Sequence, residues 1–280
     1  EGHNREYARY RPKGDQNTAY DLYSIMKNEL GKPAIDPETG RDVGTSAFPV
    51  SRLGVPVNAA EVRANKTVNP EDSIVSPMVF EIPKTKLDAG LTRSDLMVLN
   101  IIAANKWQRP IYFTSPYGEL GFPQYLRKDG LSYRLVPMQA KYPQANWTLE
   151  QTVRQSGIGG TQVRDNNEAD MYKNLMEKFG FGGAGTKGVY FDEENRRHIN
   201  SIRSTHAFIG LSLAQAGQKD SARKILQRYD EKVYSSNVPY GMTSNRGNMH
   251  NRISMTFLLA AYESGDLGLA KKVNLQLKKD

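Results

Sequence analysis

The sequence feature that most constrains the fold is a repeat within residues 196–280. Apolar residues recur there at helical spacing, and two glycines, Gly217 and Gly265, interrupt the pattern at matching points. A small residue, Ala222 or Ala270, follows each glycine at the same distance, which allows two helices to approach closely. The pattern predicts two antiparallel helical hairpins of tetratricopeptide-like character, with a packing or partner-binding role and no chemistry.

The distance between the two hairpins departs from that of a regular tetratricopeptide array. The glycines lie 48 residues apart (265 − 217), whereas such an array repeats about every 34 residues. The excess falls in residues 233–246, and two hairpins are fewer than the roughly three repeats that bury a continuous core. We therefore expect the hairpins to lean on an α/β layer or on a helix predicted over residues 170–179.

The middle of the chain predicts short strands alternating with helices. Thr92 and Asp95 have capping-box spacing and precede an apolar run to Asn105, which predicts a buried helix. A second, short helix is predicted over residues 122–128. Segments rich in β-branched and aromatic residues predict strands at 78–82, 110–114 and 131–136. The predicted fold class is α+β, with a small α/β layer followed by the C-terminal helical hairpins.

The same patterns divide the chain into three predicted parts. Residues 1–50 predict an irregular arm with a helix near 18–30, residues 51–168 an α/β domain and residues 169–280 a helical domain. The glycine-rich segment 180–188 lies within the last part. It lacks the Gly-Lys-Ser/Thr ending of a phosphate-binding loop, and it predicts a flexible linker.

Composition excludes several classes of function. The chain has no cysteine, which rules out disulfides and thiolate metal sites, and its four histidines show no zinc-binding spacing. His206 falls on the apolar stripe of a predicted helix and is interpreted as a core histidine. The net charge is +8, but basic residues are scattered, so we expect no nucleic-acid partner. We also expect no metal, no cofactor and no catalytic residue.

One segment stands out as a candidate binding site. Residues 105–113 bring Trp107, one of two tryptophans, beside Arg109 at a predicted helix-to-strand turn. Aromatic rings together with guanidinium groups are typical of sugar- or peptide-binding patches, although they also occur in cores with cation–π contacts. The candidate binding residues are Trp107, Arg109, Tyr112, Tyr125, Tyr133 and Arg134.

The order of these segments resembles a known family. Residues 96–99 leading into 105–113, then 130–137, 171–179 and 188–195, are similar to the soluble part of large membrane proteins of Bacteroidetes. That uncharacterised family is related to protein O-mannosyltransferases. The resemblance covers roughly residues 50–280, and it implies a periplasmic region attached to the inner membrane through an N-terminal multi-pass domain that this chain lacks.

The resemblance leaves three hypotheses for the function. The first is a non-catalytic periplasmic accessory domain of a glycosyltransferase-like membrane protein, whose expected partners are its own membrane domain, an acceptor protein or a glycan, and the membrane surface. The second is a free-standing carbohydrate-binding module that uses Trp107, Tyr112, Tyr125 and Tyr133. The third is an enzyme with a dispersed site in the α/β layer, which a cleft of ionisable groups with perturbed pKa values would favour.

Overall fold

The computed structural model describes residues 6–115, 117–138, 165–166, 168–242 and 249–278. Within them the chain forms two compact units. Unit 1 contains the described residues up to Arg127, residues 133–138 and Asp165, and unit 2 contains Lys128–Ser132 and the described residues from Asn166 onward. Each unit has its own cluster of buried apolar side chains, so each is described by itself.

The strands are short and form three small sheets. They are β1 (Glu6–Tyr10), β2 (Tyr20–Asp21), β3 (Pro33–Ile35), β4 (Asp42–Phe48), β5 (Arg52–Val55), β6 (Met78–Glu81), β7 (Leu91–Thr92), β8 (Tyr112–Phe113), β9 (Leu126–Asp129), β10 (Ser132–Leu135) and β11 (Asp165–Asn166). The strand orders are β3-β4-β1-β7, β2-β5-β6 and β11-β9-β10-β8. β1 runs parallel to β4 and β2 parallel to β5, whereas β6 pairs antiparallel with β5.

Helices of unit 1 pack against strands of two of these sheets. The helices are α1 (Leu22–Asn28), α2 (Ala59–Ala64), α3 (Lys84–Ala89) and α4 (Arg93–Asn105), with a 3₁₀ turn at Pro123–Tyr125. α4 begins with the predicted capping box, in which Thr92 and Asp95 satisfy each other's backbone N–H groups. Leu96, Leu99 and Ile102 then place one face of α4 in the core. The predicted helix to Asn105 is thereby confirmed.

Three predictions for unit 1 need correction, although the α+β class is confirmed. Residues 6–48 are not irregular, because β1, β3 and β4 pair with one another in one sheet. The predicted helix at 122–128 is a single 3₁₀ turn followed by β9, because the residues from Leu126 onward pair as a strand. The strands of the expected α/β layer are also divided, with β6 in one sheet and β8 and β10 in another. Local pattern finds such strands but not their partners.

Unit 2 contains five helices in its described residues. They are α5 (Glu168–Glu177), α6 (Glu193–Gln215), α7 (Lys219–Lys232), α8 (Met249–Glu263) and α9 (Leu267–Leu277). α6 and α7 form one hairpin and α8 and α9 the second, and Gly217 and Gly265 both adopt positive φ where the hairpins turn. α5 packs against α6 and α7, so the first hairpin leans on the helix predicted at 170–179.

The glycine-rich segment before α6 is packed, which corrects its interpretation as a flexible linker. Phe181 and Ala184 are buried, and Asn237 donates hydrogen bonds to the carbonyls of Ala184 and Thr186 at 3.0 and 2.8 Å. A Cβ atom at Gly185 would lie 2.7 Å from the Lys232 carbonyl oxygen. Glycine is therefore needed here for close approach to the end of α7.

Candidate functional site

The structure separates the six candidate binding residues by burial. Trp107 is only 4% exposed and Arg134 is also buried, with its guanidinium donating to the Lys66 carbonyl at 2.6 Å. Tyr125 and Tyr133 are half-buried, and the Tyr125 hydroxyl donates to the Val79 carbonyl at 2.9 Å. Arg109 and Tyr112 are exposed.

These placements change what the six residues can do. Trp107 cannot stack on a sugar in this conformation, because its ring belongs to the core of unit 1. The contact between Arg134 and the Tyr112 ring, 5.6 Å from the guanidinium carbon to the ring centroid, is a cation–π contact within the protein. The exposed part of the set is reduced to Arg109 and Tyr112, so the structure does not gather the six into one accessible patch.

The turn that carries Trp107 is nevertheless unusual. Lys106 and Trp107, at the C-terminus of α4, both adopt positive φ values, 47° and 63°, which residues with a side chain rarely adopt. Two hydrogen bonds hold them there: the Asn65 amide donates to the Trp107 carbonyl at 2.6 Å, and Trp107 Nε1 donates to the Pro56 carbonyl at 2.9 Å. The buried tryptophan thus anchors the turn and sets the direction of the exposed Lys106.

Lys106 lies at the edge of a cavity of about 370 Å³ between α1, the end of α4 and the segment after β5. Most of the lining is apolar, and a few polar side chains also contribute to it. The lining residues are Asp21, Tyr23, Val55, Pro56, Val57, Asn58, Ala103 and Lys106. We call this cavity the α1–α4 pocket.

The polar groups of the pocket are fixed by the helix ends that they cap. Asp21 accepts hydrogen bonds from the Ser24 backbone and hydroxyl at 2.8 and 2.7 Å, and Asn58 accepts from the backbone of Ala60 at 3.0 Å. Lys106 Nζ lies 4.4 Å from the centroid of the Tyr23 ring, a cation–π contact. The pocket therefore offers an apolar interior with an acidic, an amide and a basic group in defined positions.

The sequence patterns identified one residue next to this pocket, and they did not identify most of the residues that line it. They identified the turn at Trp107, which is the neighbour of Lys106, but they did not identify Asp21, Val55 or Asn58. The only local signal was that Asp21 and Asn58 precede helices as N-caps. Nothing in the sequence indicated that the two caps share one cavity.

A second group of ionisable side chains lies around Asp95. Lys86 Nζ is 2.9 Å from one Asp95 oxygen, the Tyr117 hydroxyl donates to the other at 2.9 Å, and Thr92 donates from its backbone and hydroxyl at 2.8 Å. Burial raises the pKa of Asp95, but the hydrogen bonds from Lys86, Thr92 and Tyr117 outweigh it and lower the pKa. Burial, followed by the Asp95 hydrogen bond, raises the pKa of Tyr117 well above its ordinary value of 10.

These shifts describe an ion pair that stabilises the start of α4. A general acid or base needs a pKa close to the working pH, whereas here the carboxyl and phenol pKa values both move away from neutrality. The group thus gives no support to an enzyme with a dispersed site. Within the part of the chain that the structure describes, no three His, Asp or Glu side chains are grouped to hold a metal ion.

Comparison with known proteins places the chain in a family. A family model, TMEM260-associated domain 2, matches residues 2–153, which is more than half of the 280 residues. The chain belongs to this family. TMEM260 is a protein O-mannosyltransferase-like protein, and the family name therefore points to an accessory domain of a glycosyltransferase-like protein. No curated protein and no solved structure matches the chain.

No helix among the described residues is both long enough and apolar enough to cross a bilayer. The longest, α6, carries charged residues along its first turns, and its buried residues face the core of unit 2.

Proposed function

We propose that this chain is a non-catalytic, periplasmic accessory domain of a glycosyltransferase-like multi-pass membrane protein, and that it holds an acceptor polypeptide through the α1–α4 pocket. Membership of the TMEM260-associated family supports the accessory role. The pocket carries the binding part of the proposal, because it combines a preformed apolar interior with a few fixed polar groups, as ligand sites usually do.

The chemistry of the pocket favours a polypeptide over a glycan. Val55, Val57 and Ala103 can receive an aliphatic or aromatic side chain, and Asp21 and Lys106 can meet the polar groups of its backbone. A sugar would need an open aromatic face, yet one face of Tyr23 is already taken by Lys106 at 4.4 Å. The burial of Trp107 is a second argument against a carbohydrate-binding module.

Photo-crosslinking in the parent membrane protein tests this proposal. A photoreactive amino acid in place of Asn58, which is exposed at the pocket, is expected to capture acceptor polypeptides. The matched control is the same group at Tyr190, an exposed residue of unit 2. Tyr23→Ala and Lys106→Glu should each reduce capture about tenfold, as removal of an important interface side chain does. Lys84→Glu, at an exposed position of unit 1, should not.

Two outcomes would contradict the proposal. If the crosslinker at Asn58 captures a glycan and no polypeptide, the pocket serves a different ligand. If the isolated chain transfers sugar from a lipid-linked donor, it is an enzyme and the accessory role is wrong.

A further inference from the structure

One face of α8 is apolar and exposed. Met255, Leu259 and Tyr262 are 62%, 44% and 49% exposed, and their spacing of four and then three residues places them in one stripe along the helix. Solvent-exposed large apolar residues scattered singly are normal, but a continuous stripe on one helix face marks a contact surface. We call these three residues the α8 stripe.

The α8 stripe points away from the contact between the two hairpins. On the opposite side of α8, His250 meets the Asn200 amide of α6, and the Ser254 hydroxyl accepts from Arg203 at 3.1 Å. Residues of an α-helix are separated by about 100°. Leu259 is therefore turned about 180° from His250, and Met255 and Tyr262 lie within about 60° of Leu259.

The repeat explains why this face is apolar. Subtracting the 48-residue repeat distance from the α8 stripe gives Ala207, Leu211 and Ala214 on α6, and all three are buried. They fall on the same side of α6 as Asn200, the side that carries the hydrogen bond to α8. The α8 stripe thus corresponds to the face through which the first hairpin stacks on the second.

Charged residues beside the stripe indicate what can cover it. Arg252 and Glu263 are exposed, and they lie about 20° apart around the helix, on the same edge of the stripe and at opposite ends of it. A two-fold axis that pairs two α8 helices antiparallel brings Arg252 of one copy to Glu263 of the other, twice. The same axis packs Leu259 against its counterpart and Met255 against Tyr262. The surface is therefore self-complementary in its apolar residues and in its charges.

We propose that the α8 stripe is a homodimer surface, on which a second copy of this chain packs with its α8 antiparallel. The proposal rests on unit 2 alone and does not depend on the function of the α1–α4 pocket. The stripe is small compared with the roughly 800 Å² per partner of a standard interface, so the dimer is weak and reversible.

Analytical ultracentrifugation over about a hundredfold range of concentration tests the surface. The protein is expected to shift from monomer to dimer, and Leu259→Glu should weaken the dimer at least about tenfold by placing two carboxylates at the two-fold axis. The matched control is Ile101→Glu, which places the same charge on an exposed apolar position of α4 in unit 1. A protein that stays monomeric throughout, or a dimer that Leu259→Glu leaves intact, overturns the proposal.

A charge exchange tests the antiparallel pairing. Arg252→Glu alone and Glu263→Arg alone should each weaken the dimer, because like charges then face each other across it. The double variant should restore the wild-type dissociation constant. If the single variants have no effect, or the double variant is the weakest of the three, the antiparallel arrangement is wrong.

Discussion

Each of the two units contains an arginine that is at most 1% exposed, and these two arginines are stabilised in different ways. In unit 1, Arg127 pairs with the buried Asp72 through two hydrogen bonds of 2.7 and 2.8 Å. In unit 2, Arg203 is fully buried, and the hydrogen-bond acceptors found among the described residues are neutral. They include the Tyr229 hydroxyl at 3.0 Å and the carbonyls of Val238 and Pro239 at 2.7 and 3.0 Å.

The difference determines which of the two interactions can be replaced by mutation. Arg127 bonds the side chain of Asp72, so both members of the pair can be replaced together by neutral groups. Two partners of Arg203 are backbone carbonyls in the segment after α7, and its guanidinium also lies 4.6 Å from the Tyr240 ring centroid. Arg203 thereby fixes Val238 and Pro239, which lie in the segment that lengthens the repeat, and no substitution elsewhere can replace these contacts.

The largest expected effect is that of Arg127→Met, which leaves the Asp72 carboxylate buried without its partner. We expect a loss of about 3–5 kcal/mol in the free energy of unfolding, as for other broken buried ion pairs. Adding Asp72→Asn should recover most of the loss, since an amide can still accept from the Asn69 backbone. Urea denaturation measures both, with Arg109→Met at an exposed position as the control. A double variant no more stable than the single one would contradict this.

Arg203→Met is expected to cost about 3 kcal/mol, because several buried acceptors lose a charged donor at once. The effect should be local, with faster hydrogen exchange of the backbone amides in residues 233–242, and it should not be recovered by substitutions at Tyr229 or Ser254. Arg197→Met is the matched control on α6, since its side chain is 59% exposed. Unchanged exchange in residues 233–242 would show that Arg203 does not hold this segment.

The third prediction concerns the pH dependence of stability, which differs between a buried histidine of unit 2 and a buried aspartate of unit 1. His206 is buried in unit 2, its Nδ1–H donates to the Ile202 carbonyl at 2.9 Å, and its Nε2 has no hydrogen-bond partner among the described residues. Burial lowers its pKa to about 4 from the ordinary 6.5. The unfolded chain therefore binds a proton more readily, so stability is complete above pH 6.5 and falls as the pH drops towards 4, by about 3 kcal/mol.

His206→Leu should abolish that fall between pH 6.5 and 4. Asp95 in unit 1 provides the contrast, because its pKa is lowered in the folded state. Its contribution to stability is therefore complete above pH 3.8, the ordinary pKa of the side chain, and is lost only below that pH. Asp95→Asn should thus cost about 1 kcal/mol near neutral pH and nothing in strong acid. The free energy of unfolding is measured as a function of pH for the wild type, His206→Leu and Asp95→Asn. Equal slopes for wild type and His206→Leu between pH 6.5 and 4 would contradict the assignment.

Local sequence patterns were sufficient for elements whose cause is local. The capping box of Thr92 and Asp95 and the turn glycines Gly217 and Gly265 depend on a few neighbouring residues, and all are found as predicted. His206 was likewise correctly interpreted as a core residue, although no described residue bonds its Nε2. Patterns of this kind are short in range, so one sequence can reveal them.

The sequence by itself determined the α+β class, the positions of most helices and the repeat that relates the two hairpins. Only the tertiary structure decided that Trp107 is an anchor and not a binding surface, since its burial depends on Pro56, a residue 51 positions away. The tertiary structure also brought the caps Asp21 and Asn58 into one pocket, and it bonded Arg203 to Val238 and Pro239 in the segment between the hairpins. Contacts between distant residues are set by how elements pack, and side-chain periodicity carries no information about that packing.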